Sequence, residues 1–290
     1  MFAGTGTAIV TPFDRYGEID EEALRRLVDF QEENGVDVLV PCGSTGESAT
    51  LSHEEHIHVI EIVRDQSKRC RILAGTGSNC TSEAVDLSKK AADLGVDGIL
   101  SITPYYNKPT QEGLYKHYEQ ISRNISCPVI VYNIPGRTGC NVNVDTLMAL
   151  AELPGIAGVK EASGNMTQIQ SILARRPEGF EVLSGDDSIT VPLISLGADG
   201  VISVAANCCP GLMSDMVGRA RKGEFNTAMQ LHNELFPLFN ALFCETNPIP
   251  IKYVMSRMGY GTETPRLPLT PLSGKGRAIV EPVMRDLGLL

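Results

Sequence analysis

Lys160 sits at the end of the run Ile156-Ala157-Gly158-Val159-Lys160-Glu161, in which every residue before the lysine is apolar or small. A lysine in such surroundings is costly to keep charged. Burial lowers its pKa, to roughly 7 or 8 in catalytic lysines against about 10.4 in water. The neutral amine is the nucleophile, and a drop of about 3 pKa units raises its share at pH 7 roughly a thousandfold, the gain a Schiff-base enzyme requires. The bland alternative is a lysine that snorkels from a strand end to solvent or pairs with Glu161. Tyr132 ends another apolar run, and a phenol beside an amine can pass protons to and from a carbinolamine; a lone strand tyrosine otherwise packs in the core. Gly43-Ser44-Thr45-Gly46-Glu47 offers backbone N–H groups and two hydroxyls to a carboxylate. Taken alone it also reads as a plain strand-to-helix turn. Arg137 presents a planar fork that fits a carboxylate, with a surface ion pair of little worth as the alternative.

Other motifs lead elsewhere or nowhere. His53-Glu54-Glu55-His56 spaces its histidines one residue short of the zinc-protease pattern, and no Cys-x-x-Cys pair occurs, so no metal site is expected. Gly75-Thr76-Gly77 lacks the third glycine of a dinucleotide fingerprint. Cys208-Cys209 reads as two buried small residues rather than a redox pair. No cofactor is implied.

The elements that must position these residues follow from hydrophobic patterning. Apolar runs near 4–10, 36–41, 71–74, 98–103, 128–133, 156–160, 180–184 and 200–205 lack alternation, as strands buried on both faces do. Helical patterns lie between them, such as Leu24, Leu27 and Val28 on one face, and a capping box at Ser52 and Glu55 opens the second. Gly35-Val36-Asp37, Gly95-Val96-Asp97 and Gly197-Ala198-Asp199 repeat one device, a glycine-capped helix entering a strand. Eight alternations of strand and helix predict a parallel sheet closed into a (β/α)8 TIM barrel over residues 1–222. Residues 223–290 then read as a C-terminal helical extension, too small for an independent domain. In a barrel the chemistry stands at the C-terminal strand ends, which is where Ser44, Tyr105, Tyr106, Tyr132, Arg137, Lys160 and Gly185 fall.

With 42% hydrophobic residues, the 290-residue chain can bury a large core. Its formal net charge of −10 disfavours nucleic acid and anionic membrane surfaces. There is no basic leader followed by an apolar run, and no membrane span, so a cytoplasmic location is expected. Eight cysteines in such a chain read as reduced thiols.

Taken together, Gly43-Ser44-Thr45-Gly46-Glu47-Ser48-Ala49-Thr50, Pro104-Tyr105-Tyr106-Asn107-Lys108-Pro109, Tyr132-Asn133-Ile134-Pro135-Gly136-Arg137-Thr138-Gly139, Gly158-Val159-Lys160-Glu161-Ala162 and Asn247-Pro248-Ile249-Pro250-Ile251-Lys252 resemble the pyruvate-dependent lyase superfamily that includes N-acetylneuraminate lyase. The closest resemblance is to its dihydrodipicolinate synthase family, over the whole chain. It implies that Lys160 binds pyruvate as an imine, whose enamine attacks L-aspartate 4-semialdehyde. It further implies that Tyr132 exchanges protons through Ser44 with Tyr106 of a neighbouring subunit in a homotetramer, a dimer of dimers. Thr45, Gly185 and the backbone around Ile202 would hold pyruvate, and Arg137 the second carboxylate. Ser44 departs from the more usual threonine; the hydroxyl remains but its rotamer is less restricted. Ser48, Ala49, His53, His56, Asn79, Glu83 and Tyr105 match a feedback site for L-lysine, although the histidines would also suit a plain solvated helix start. A lyase of N-acetylneuraminate or keto-deoxy sugar acids would share Lys160 without needing Arg137. A phosphate-binding isomerase would not want the acids Asp186 and Asp187 after strand seven, and a non-catalytic barrel would not need five such motifs.

Overall fold

The computed structural model describes all 290 residues. Eight parallel strands, β1 (Gly4–Thr7), β2 (Val38–Leu39), β3 (Arg71–Gly75), β4 (Gly98–Ile102), β5 (Val129–Asn133), β6 (Ile156–Glu161), β7 (Glu181–Ser184) and β8 (Gly200–Ser203), follow one another in sequence order. β8 pairs back onto β1 and closes the barrel. Six of the strands fall inside an expected apolar run, and β3 and β6 each extend one residue beyond theirs, to Gly75 and Glu161. β1 and β2 are shorter than expected, yet the amides of Ala8, Ile9 and Val40 still donate to the carbonyls of Ser203, Val40 and Thr7.

The lack of alternation has a plain cause. One strand face fills the barrel interior with Val38, Val40, Leu73, Leu100, Ile130, Tyr132, Leu183 and Ile202. The other meets the helices through Leu39, Ile72, Ile99, Val131, Val159, Val182 and Val201. The helix Glu21–Glu33 buries Leu24, Leu27 and Val28, as its periodicity predicts. In the capping box, Ser52 N–H donates to Glu55 Oε2 (2.7 Å) and Glu55 N–H donates to Ser52 Oγ (3.2 Å). Gly35 and Gly95 adopt φ of 84° and 76°, the left-handed turn that lets a helix reverse into the next strand.

After the helix Pro210–Arg221 no further strand forms, and the chain continues through helices Phe225–Ala241, Ile249–Arg257 and Gly274–Asp286. This segment is tied to the barrel by charge as well as by apolar packing. Lys252 Nζ donates to Glu47 Oε1 at 2.5 Å, with both side chains almost wholly buried. The backbone N–H of Arg266 donates to Glu47 Oε2 (2.8 Å), and its guanidinium grips Glu55. Lys252 and Arg266 both lie against the Phe13 ring. No helix is long and apolar enough to cross a membrane.

Candidate active site

Register decides which side chains meet. Tyr132 on β5 is the direct partner of Lys160 on β6, and Lys160 in turn partners Leu183 on β7. Residues paired across parallel strands share a face, and successive residues alternate. Lys160 and Tyr132 therefore both point into the barrel, while Glu161 points out and accepts from Asn133 Nδ2 (2.9 Å) and Ser163 N–H (2.7 Å). This rules out the lysine–Glu161 pair. Snorkelling is ruled out as well, since Lys160 is only 6% exposed.

Lys160 Nζ lies 4.2 Å from the centroid of the Tyr132 ring. Burial pulls its pKa down to about 7; the nearby Asp187 carboxylate opposes the shift and the Arg137 guanidinium adds to it. Burial pushes the Tyr132 phenol up to about 12 against the opposing influence of Arg137 and a hydrogen bond with Ser44. Near neutral pH the site thus combines an amine that readily loses its proton with a phenol that keeps its own.

Above the amine lies a cavity of about 40 Å³, bordered by Ser44, Thr45, Tyr132, Arg137, Lys160 and Gly185 together with Val204, Phe243 and Asn247. The turn after β2 is closed by bonds from Gly46 N–H to Gly43 O (3.1 Å) and from Glu47 N–H to Ser44 O (3.2 Å). Buried Thr45 accepts from Asn247 Nδ2 (3.0 Å). Arg137 lies in the short helix Pro135–Thr138 after β5, and its guanidinium donates to the carbonyl of Asn247 (2.8 Å) rather than to a carboxylate. Ile202 is buried in the interior on β8 and does not border the cavity; its near neighbour Val204 does.

Tyr106 is not brought to this cavity by its own chain. It is 89% exposed, with a left-handed φ of 73°. A second, wider groove of about 460 Å³ is lined by Ser48, Ala49, His53, His56, Glu83 and Tyr105, with Ser44, Arg137 and Asn247 common to it and the Lys160 cavity. Within it His53 Nε2 lies 2.6 Å from Glu83 Oε1, Ser78 Oγ donates to Glu83 Oε2, and His56 Nε2 is 2.6 Å from the Gly75 carbonyl. Asn79 stands outside the groove wall, its carbonyl accepting from Asn107 Nδ2.

Asp187 is a functional candidate to which the sequence alone gives no role beyond a charge at the end of strand seven that would repel phosphate. It is buried; its Oδ2 accepts from the amides of Val204 (3.1 Å) and Ala205 (3.0 Å), and Oδ1 has no partner. Burial raises its carboxyl above the ordinary range. Asn247 opens the motif Asn247-Pro248-Ile249-Pro250-Ile251-Lys252, and nothing in the local sequence announces its two contacts.

The sequence profile of the Dihydrodipicolinate synthetase family matches residues 1–286. A relative from Chloroherpeton thalassium, named 4-hydroxy-tetrahydrodipicolinate synthase, is 49% identical over 99% of this chain and 96% of its own. The chloride-inhibited dihydrodipicolinate synthase from Acinetobacter baumannii, solved with pyruvate, superposes with a TM-score of 0.98 at 44% identity over the whole of both chains. The enzyme from Cyanidioschyzon merolae, solved with lysine bound, gives 0.97 at 40% identity over 100% and 99% of the two chains. With a barrel, a buried strand-end lysine and relatives matching along its full length, the chain belongs to the dihydrodipicolinate synthetase family and is a lyase.

Proposed function

We propose that the chain condenses pyruvate with L-aspartate 4-semialdehyde in the cytoplasm, using Lys160 as the amine nucleophile, and that L-lysine inhibits it. The observation that carries the reading is the buried Lys160 amine, near pKa 7, facing the Tyr132 ring at 4.2 Å beside a small cavity. The Acinetobacter relative solved with pyruvate supports it.

The neutral amine attacks the pyruvate ketone, forming a C–N bond, and Tyr132 supplies the proton that turns the oxyanion into a carbinolamine. Water leaves and an iminium remains. Loss of a methyl proton gives the enamine, whose carbon forms a C–C bond to the aldehyde carbon while the aldehyde oxygen takes up a proton. The amino group of the second substrate then attacks the former ketone carbon, breaking its bond to Lys160. This closes the ring and restores the amine. Thr45 and the Gly185 backbone hold the pyruvate carboxylate, and Arg137 holds that of the semialdehyde. Ser44 links Tyr132 to Tyr106 of a neighbouring subunit, which accounts for a tyrosine left 89% exposed by its own chain. The assembly is a homotetramer.

For L-lysine, Glu83 suits an ammonium group and the Tyr105 hydroxyl a carboxylate. A relative solved with lysine bound is in keeping with lysine as a ligand, and the groove that holds Glu83 and Tyr105 is the place we assign to it.

The test incubates the purified chain with pyruvate and borohydride, then follows pyruvate consumption with the semialdehyde, with and without L-lysine. Attachment of one pyruvate at Lys160, consumption impaired in Arg137→Ala and suppression by lysine are expected. Trapping without consumption would point to a different aldehyde; pyruvate trapped equally in Lys160→Ala would overturn the assignment of the nucleophile.

A further inference from the structure

We infer that Asn247 is a positioning residue that sets the spacing between the two carboxylate subsites, and with it the preference for the second substrate. The inference rests on the roles given above to Thr45 and Arg137. Those residues come from the loops after β2 and β5, with β3 and β4 between them on the rim, and each makes its hydrogen bond to Asn247. The Asn247 side chain donates from Nδ2 to Thr45 Oγ1 (3.0 Å), and its main-chain carbonyl accepts from Arg137 Nη2 (2.8 Å).

Asn247 belongs to neither loop. It stands between the helices Phe225–Ala241 and Ile249–Arg257, borders the Lys160 cavity and is 4% exposed. Its Oδ1 is buried without a hydrogen-bond partner. A side chain placed only for stability would be expected to satisfy both ends of its amide. This one uses one end and the main chain to clasp two residues of the site.

The chemistry gives that clasp a consequence. A C–C bond forms only if the aldehyde carbon falls at attack distance from the enamine carbon. With pyruvate fixed at the Thr45 side and the semialdehyde carboxylate fixed on Arg137, the separation of Thr45 and Arg137 decides which aldehydes meet that condition. Cutting the Thr45–Asn247 bond frees residue 247, and with it the carbonyl that steadies Arg137. Recognition of the second carboxylate should loosen while imine formation at Lys160 continues.

The experiment compares kcat/KM, at saturating pyruvate, for L-aspartate 4-semialdehyde and for 3-aminopropanal, the same aldehyde without its carboxylate. The ratio of the two reports how much the carboxylate is worth to the enzyme. In Asn247→Ala the ratio should fall by between about tenfold and a hundredfold, the scale on which a 1 Å misplacement acts, with pyruvate still trapped by borohydride at Lys160. Should Asn247→Ala fail to fold, Thr45→Val cuts the same bond from its other end, and the same fall in the ratio is expected although Thr45 does not meet the second carboxylate. General destabilisation lowers both rates together and leaves the ratio alone. An unchanged ratio in a variant that still traps pyruvate overturns the role of Asn247 and leaves the proposed reaction standing. A wild-type chain that neither traps pyruvate nor consumes the semialdehyde removes the proposed reaction itself.

Discussion

Gly185 and Lys160 compete for one space: a Cβ on Gly185 would lie 3.1 Å from Lys160 Cε and 2.7 Å from Ala162 Cβ. The glycine after β7 is what allows the lysine side chain to extend into the cavity. In Gly185→Ala the extra methyl must shift Ala162 and also crowds the Lys160 stem, at a cost of about 1–3 kcal/mol. The lysine is the flexible neighbour, so the fold should survive with its amine misplaced. Borohydride trapping of pyruvate should slow by about tenfold or more, with a thermal unfolding midpoint lowered by only a few degrees. Trapping at the wild-type rate would mean that Gly185 is not needed for the amine's reach.

The pKa of about 7 assigned to Lys160 predicts a pH profile. Only the neutral amine attacks, so the rate of imine formation at low pyruvate should climb with pH and reach half its plateau near pH 7. An ordinary lysine would still be climbing near pH 10. Rapid-quench trapping across pH 5.5 to 9 distinguishes the two cases, because a profile still rising steeply at the upper limit is incompatible with a desolvated amine.

The same burial has a thermodynamic counterpart. The folded-state pKa of Lys160 lies near 7, below an ordinary value of 10.5. Between those limits the unfolded chain holds a proton that the folded chain lacks, so stability rises with pH across the window and the full penalty is felt below it. The penalty is at most about 5 kcal/mol. Lys160→Met removes it and should stabilise the chain by a few kcal/mol, about 5 at most, near pH 7. The gain should fade as pH approaches 10. Urea denaturation at pH 7 and 9.5 measures the difference; a variant less stable than wild type at pH 7 would show that Lys160 is held by favourable contacts rather than strained by burial.

The barrel was legible because strands buried on both faces must be apolar throughout, and Lys160 stood out because a charge at the end of such a run demands an explanation. Tyr132 was legible for the same reason, and register then set it opposite the lysine. Contacts made across the chain left no local mark. Asn247 meets Thr45 over 202 positions, and Lys252 meets Glu47 over 205. The burial of Asp187 depends on amides from the loop after β8, so an acidic pair that reads as exposed loop charge becomes an acid close enough to influence the amine. The placement of Tyr106 is of another kind: its side chain stands in solvent on its own chain, and no pattern within a single sequence assigns it a place to pack.

The ion pair between Lys252 and Glu47 gives a direct measure of how firmly the C-terminal helices are joined to the barrel. Both side chains are at most 2% exposed, and Glu47 belongs to the turn that carries Ser44 and Thr45. Lys252→Met leaves the carboxylate buried with the Arg266 amide and no cation in contact, and should cost about 3–5 kcal/mol. Glu47→Gln combined with Lys252→Met removes both charges and should recover much of that loss. Barrel and extension should still unfold in one transition, since the pair lies at their junction. A single variant within about 0.5 kcal/mol of wild type, as a typical surface change would give, would show that the pair contributes little to the joint.

Glu83 should govern sensitivity to L-lysine. Its two oxygens are held by His53 Nε2 (2.6 Å) and by Ser78 Oγ, so the carboxylate faces the groove in a fixed orientation. The hydrogen bond from Ser78, reinforced by His53, keeps its carboxyl below the ordinary range despite partial burial. The sign follows: a depressed carboxyl stays charged until the pH falls below that range, so the attraction for an ammonium group persists through mildly acidic conditions. Glu83→Gln preserves the shape and removes the charge. Loss of one hydrogen bond to a charged partner, about 1.5–3 kcal/mol, should raise the half-inhibitory concentration of lysine by between about tenfold and a hundredfold. Calorimetric titration with lysine, run without substrates, separates weakened binding from a change in turnover. If Glu83→Gln binds and responds to lysine as the wild type does, the ammonium is held elsewhere in the groove; His53 and His56 cannot take over that role, since neither ring carries a negative charge.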